Sequence, residues 1–293
     1  MALKSTGTKQ VIEEQLSERI QKIEDLMDAD CLAYVGPIAF GVDDAIRDAV
    51  EEIENKKKKL VFILETSGGF AETTRRIADT VRHHYTTVDF LIPSYAMSAG
   101  TILAMAGDAI HMDYYSVLGP IDPQIEGPDG ALIPALGYLI RYEDLLAKAN
   151  DGKITSPEMD ILLSFDQGQL YSYEQARDLS RSLLEEWLVK YKFKDWVETE
   201  TQKTPVTEDM KKARSKEIAD RLNNVRRWNS HGIGINMELL RKELNLKIDD
   251  FGQVPELSAA IRRYHKLLVD HGARMRHNSI VHTRDAYRPL AVR

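Results

Sequence analysis

A chain of 293 residues, 43% hydrophobic and 29% charged, is long enough to bury a full core and too apolar to be disordered. Its net charge of -7 argues against general nucleic-acid affinity, and a single cysteine, Cys31, excludes an internal disulfide or a thiolate metal cluster. No run approaches the ~20 apolar residues of a bilayer span, and residues 1–15 lack an apolar stretch of signal-peptide length. The sequence therefore predicts a cytoplasmic protein without a membrane span.

The first half alternates strand and helix patterns. Residues 1–30 read as a polar helical segment. Cys31 to Ile38 reads as a strand closed by Gly36 and Pro37, with Cys31 a buried small hydrophobe. Asp43 to Glu54 carries Ala45, Ile46, Ala49, Val50 and Ile53 at helical spacing. Leu60 to Leu64 is a continuous apolar run of the kind found in central parallel strands, and it stops at Thr66-Ser67-Gly68-Gly69. A helix follows from Ala71 to about His84, then a strand over Val88 to Ile92, a helix over Ser98 to Ala106 and a short strand over Ala109 to Met112. Strand–helix alternation with short connections predicts an α/β fold with a mainly parallel sheet. Ligands bind beyond the carboxyl ends of such strands. Gly68-Gly69 and Ser98 both fall at strand-to-helix junctions on that edge.

From Tyr142 to Asn223 the pattern is helical and charged, with Thr199 to Asp209 a loop. Glycines around Trp228 predict a turn, a helix follows through Leu244, and Leu246 to Phe251 is a last short strand. The segment from Ile261 to Arg293 holds eight Lys/Arg and two Asp, so opposite charges could dock this tail on its own body or on a neighbour; a helix with a loose terminus is the plain alternative. The predicted organisation is a helical segment at 1–30, a main domain at 31–255 and a basic helical tail at 256–293.

Two motifs could carry chemistry. In Ala96-Met97-Ser98-Ala99-Gly100, small neighbours expose the serine hydroxyl and let a carbonyl approach, and the helix that opens there directs N–H groups toward negative charge. Alone, the same serine reads more readily as a helix cap than as a nucleophile. Ser67-Gly68-Gly69 follows a buried strand; paired glycines there can adopt φ > 0 and present unobstructed N–H groups, as an oxyanion hole requires, or can simply turn the chain.

The combination, with 30 residues between Gly68 and Ser98, resembles the Clp-type proteases, whose core is of the Clp/crotonase type. Leu118-Gly119-Pro120-Ile121-Asp122-Pro123-Gln124, after Ala96-Met97-Ser98-Ala99-Gly100-Thr101, is similar to the serine dehydrogenase proteinase (SDH) branch. The resemblance is close over about Leu32 to Gln124 and looser at Trp228 to Gly232. It implies a serine peptidase acting through an acyl-enzyme, without a cofactor or metal, on peptide or protein substrates, as a homo-oligomer. In the better-known Clp order a histidine follows the serine, but here Asp122 stands 24 residues on, with no histidine near it. The SDH branch has the order Ser, Asp, His, which maps onto Ser98, Asp122 and His231, with Asp113 a substitute carboxylate; triads are defined by geometry rather than chain order. Gly68, Gly69 or Ala99 would supply the oxyanion N–H groups. Two alternatives stay open: a Ser–Lys dyad of the signal-peptide-peptidase type using Lys148, and an inactive assembly or binding protein that kept the fold.

Overall fold

The structure, a computed structural model, describes residues 7–126, 132–199, 201–228, 230 and 232–291. In chain order the elements are α1 (Thr8–Met27), β1 (Asp30–Val35), α2 (Val42–Glu51), β2 (Lys59–Glu65), α3 (Ala71–His84), β3 (Thr87–Leu91), β4 (Tyr95–Ala96), α4 (Ala99–Ala104), β5 (Ala109–Met112), β6 (Val117–Leu118), β7 (Gln124–Glu126) and β8 (Leu132–Pro134). Then come α5 (Ala135–Asn150), α6 (Ser156–Leu163), α7 (Gln167–Trp187), a π-helical turn at Leu188–Lys192, α8 (Glu208–Leu222), α9 (Val225–Trp228), β9 (Ile235–Asn236) and α10 (Met237–Leu244). The last are β10 (Asp249–Asp250), α11 (Pro255–Met275), β11 (Ser279–His282) and β12 (Tyr287–Leu290).

The expected α/β fold with a mainly parallel sheet is what forms. The main sheet runs β10-β5-β3-β2-β1-β11-β12; the pairs from β10 to β1 are parallel, and β11 and β12 are antiparallel. Strand side chains alternate between two buried faces. Leu32, Tyr34, Leu60, Phe62, Leu64, Val88 and Phe90 pack with α2, α3 and α4, and the Phe62 and Phe90 rings stack at 5.2 Å. Cys31, Ala33, Val61, Ile63 and Leu91 face the other way, onto Leu16, Ile20 and Ile23 of α1 and Ile261, Tyr264 and Leu268 of α11. Full burial of Cys31 pushes its thiol pKa up, so it is a core residue.

The loose C-terminus is corrected. β11 pairs with β1 over Ala33↔His282 to Val35↔Ile280, and β12 closes that edge. The tail docks on its own body as sheet. Arg284 ties it further, its guanidinium 3.3 Å from the buried Glu24 carboxylate.

Two small sheets lie outside the main one. β4 and β6 are parallel, and β9 joins β6 antiparallel through Leu118↔Ile235; β7 and β8 form a hairpin pair. Among the described residues, no helix is long and apolar enough to cross a membrane.

Candidate active site

Strand β2 ends at Glu65, and the segment from Thr66 to Phe70 is bonded to the chain on both sides. Thr66 N–H donates to Tyr95 O (3.1 Å), and Met97 N–H to Thr66 O (2.9 Å). On the other side Ile38 N–H donates to Gly68 O (2.7 Å), and Phe70 N–H to Ile38 O (2.9 Å). The glycine loop and the serine turn are thus stitched together, although 30 residues separate Gly68 from Ser98.

Gly68 has φ +103°, and a Cβ built on it would stand 2.7 Å from Ser98 Cβ and 2.9 Å from Met97 O. Only glycine fits so close to the serine. Its N–H donates to Thr66 Oγ1 at 3.0 Å. Among the described residues, the N–H groups of Gly69 and Ala99 have no acceptor. These two are available to a bound oxygen, while that of Gly68 is already engaged.

Ser98 sits at φ +51° and ψ −117°, a region that costs a non-glycine residue of order 1–3 kcal/mol. It occupies the cap position of α4 without capping: its side chain makes no cap hydrogen bond, and no described residue bonds to its hydroxyl. It is half-buried. A strained serine at a strand-to-helix turn, with its hydroxyl unspent, is the arrangement of a nucleophile elbow reached with a different spelling. The flanking threonines explain the rest of the motif. Gly100 lets the Thr66 side chain pack closely, since a Cβ there would lie 2.3 Å from Thr66 Cγ2. Thr101 Oγ1 accepts from Gly119 N–H (2.9 Å) and lies 2.8 Å from Ala96 O, joining the serine turn to the loop that leads to Asp122.

Asp122 is buried (2% exposed) and partnered. Ile121 N–H beside it donates to Leu222 O at 3.1 Å. Asp113, the substitute, is spent elsewhere: Oδ1 accepts from Tyr115 and Ser116 N–H, and Oδ2 accepts from Arg262. His231 lies outside the described residues. The seven other histidines all occupy structural positions. His83 and His84 end α3; His84 lies 4.0 Å from Glu51. His111 meets Asp89 at 3.0 Å, and His265 meets Glu65 at 2.6 Å. His271, His277 and His282 gather round the Tyr287 ring.

Lys148 is 46% exposed and pairs with Glu158 at 2.5 Å, which together with the Thr155 N–H and hydroxyl holds that carboxylate at about 2. A dyad base needs a desolvated ammonium. The described lysine with a lowered pKa is Lys192, pushed to about 8 by burial. It lies against Asp108, whose N–H bonds Val88 O at the amino end of β3, the end opposite Ser98. Among the described residues, no group of three His, Cys, Asp or Glu could hold a metal ion.

Thr66 and Thr101 bond to the serine turn without having been singled out from the sequence. Both lie within the two motifs, which is a signal that was there.

Comparison with known proteins agrees with the motifs. Residues 41–143 match the family described as ClpP-like SDH-type serine proteinase. Two uncharacterized proteins of Methanocaldococcus jannaschii are similar to the chain. One is 44% identical over 126 residues, covering 42% of this chain and 43% of its own length. The other is 31% identical over 134 residues, covering 44% and 47%. The chain thus spans less than half the length of these relatives. Among solved structures, two mutants of 1510-N membrane-bound stomatin-specific protease, one holding a substrate peptide, align at 13% and 14% identity with a TM-score of 0.45 each. They cover 78% and 77% of this chain and 81% and 75% of their own. The stretch that matches the ClpP-like SDH-type serine proteinase model, residues 41–143, holds both Ser98 and Asp122.

Proposed function

We propose that the protein is a serine peptidase that cleaves peptide bonds through an acyl-enzyme on Ser98. The observation that carries this is the Ser98 turn itself: a strained serine that caps nothing, held against a glycine loop with unspent N–H groups. Ser98 Oγ attacks the scissile carbonyl, and the developing oxyanion is held by Gly69 and Ala99 N–H. Loss of one such donor costs ~10²–10³ in turnover. His231 takes the serine proton and passes it to the leaving amine, while Asp122 orients the imidazole and stabilises its charged form.

The small sheet supports this assignment. β4 ends two residues before Ser98, β6 ends four before Asp122, and β9 begins four after position 231. Phe40 and Phe70 stack at 4.4 Å and stay exposed, with Phe70 directly after Gly69, a surface suited to an apolar peptide side chain. Self-association belongs to the same reading: α6 buries no residue and exposes Leu163 (75%) and Ile161 (43%). Sedimentation across a concentration series reads it.

The deciding experiment is labelling with a fluorophosphonate probe. Wild type labels, and Ser98→Ala does not. His231→Ala and Asp122→Ala lose most of the rate, whereas Lys148→Ala keeps it. Absence of labelling in wild type supports an inactive binding protein instead, and full activity in His231→Ala removes the triad.

A further inference from the structure

Two buried carboxylates flank the Ser98 turn, and both are satisfied by one helix. Glu65 is the last residue of β2, directly before the glycine loop. Its position follows Val61 and Ile63, so its side chain projects to the α1/α11 face. There His265 Nε2 lies 2.6 Å from Glu65 Oε2. Asp113 follows β5 and is wholly buried. It organises the turn 113–116, from which Ser116 Oγ donates to Ile92 O (2.6 Å) and Val117 N–H donates to Ser94 O (2.9 Å). Arg262 donates to its other oxygen and stacks over Tyr114 at 5.3 Å.

Arg262 and His265 are three apart on α11 and project on the same side. The turn that Arg262 holds leads into β6, which pairs with β4 next to Ser98; the carboxylate that His265 holds leads into Thr66, bonded to Tyr95 and Met97, and into Gly68, which lies against Ser98. The site is bracketed from both sides by one helix. A buried carboxylate stripped of its partner draws in water or moves toward it, and either response shifts the chain it ends. An ångström of displacement at a reacting group can cost ~10² in rate.

We infer that α11 is a positioning element of the Ser98 site, with His265 acting through Glu65 on the glycine loop and Arg262 acting through Asp113 on the turn before β6. This rests on Ser98 being the nucleophile, but its structural half does not. Ile261, Tyr264 and Leu268 still anchor α11 in the core when either polar residue is replaced.

The test uses the full chain with His265→Leu, Arg262→Leu, the conservative His265→Gln and Arg262→Lys, and Lys266→Leu as an exposed control on the same helix. Amide hydrogen exchange and the fluorophosphonate acylation constants are both read. In His265→Leu, exchange rises about tenfold at residues 66–70, a local opening easier by one factor of ten, while the core amides of α1 keep their protection. Arg262→Leu does the same at 113–118. The maximal acylation rate falls about tenfold or more in each, with probe affinity unchanged, and His265→Gln recovers most of it. Lys266→Leu changes nothing. Wild-type exchange and acylation in both leucine variants overturn the inference. So does opening of the α1 amides together with the loops, which is mere undocking of the helix, or failure of His265→Gln to improve on leucine. Should His265→Leu not fold, Glu65→Gln weakens the same contact without changing its size and is read identically. If wild type itself does not label, the nucleophile assignment fails, and the exchange data still decide whether α11 positions the loops.

Discussion

The two ends of β3 solve opposite problems. At its amino end Asp108 accepts from Arg82 (2.7 Å), from Val88 N–H (2.8 Å) and from Lys194, with the Arg82 and Asp108 side chains both under 10% exposed. The Asp108 carboxylate there is fully answered. At its carboxyl end Ser98 stands with strained backbone, an unspent hydroxyl, and bare N–H groups beside it. Saturation makes a stable corner; withheld partners make a reactive one. The first kind of corner can be lost without touching chemistry, and the second can be relaxed only by destroying it.

Ser98→Ala gives the largest effect, loss of labelling and hydrolysis by at least ~10³-fold, with the fold intact by circular dichroism. Ser98→Gly is equally inactive but melts higher, because glycine accepts the φ of +51° that serine resists, a gain of about 1 kcal/mol. An unchanged melting temperature would remove the claim of strain. Gly68→Ala comes next: its Cβ collides with Ser98 Cβ, so turnover falls by ~10² and stability falls with it. Asp108→Asn is the mirror case. It costs ~3 kcal/mol in urea denaturation by leaving Arg82 and Lys194 short of charge, while the acylation rate per folded molecule holds. A fall in that rate would mean that the two ends of β3 are coupled.

Acid separates the regions further. Burial lowers the pKa of His282 from 6.5 to about 3, so between those values the unfolded chain binds the extra proton. Stability therefore falls as pH drops from about 6.5 toward about 3. His271 adds to the loss through its own burial. The facing groups are Tyr264, which meets His282 at 2.8 Å, Tyr287, His277, and Glu13 at 3.9 Å from His271. Nearby Glu24 opposes the trend, because burial raises its carboxyl and protonation then favours the fold. Burial pushes Asp89 up, but His111 and Lys59 outweigh it and hold it at about 2, so its contribution goes only below pH 3.8. Urea midpoints from pH 7 to 4 should decline in wild type and flatten in His282→Phe. The smallest effect is Lys192→Met, which removes a desolvated ammonium and raises the midpoint slightly at pH 7. Labelling stays at the wild-type rate; a loss would revive a lysine base.

What the sequence made legible was local. The apolar run at 60–64, the helix at Ala71–His84 and the strand at Ala109–Met112 follow from short-range pattern, and their boundaries agree closely with the structure. The serine and the glycine loop were legible because each motif sits at an end of such an element. Strands of two residues such as β4, β6 and β9 carry no period to detect, yet they tie Ser98 to its neighbourhood. β11 was hidden for a different reason. Its four residues include one histidine and one serine, and the partner that makes them a strand lies more than 240 residues earlier. The tail's positive charge pointed to docking, but charge does not specify a hydrogen-bond ladder.

That ladder has a consequence for timing. β1 finds its parallel partner β2 in the next stretch of chain, but its other edge waits for residues 279–282. The helix that brackets Ser98 lies directly before them. Long-range pairing of this kind is slow to form and comes late. A nascent chain therefore carries Ser98 and its glycine loop, with one edge of β1 still unpaired, until residues 279–282 have been made.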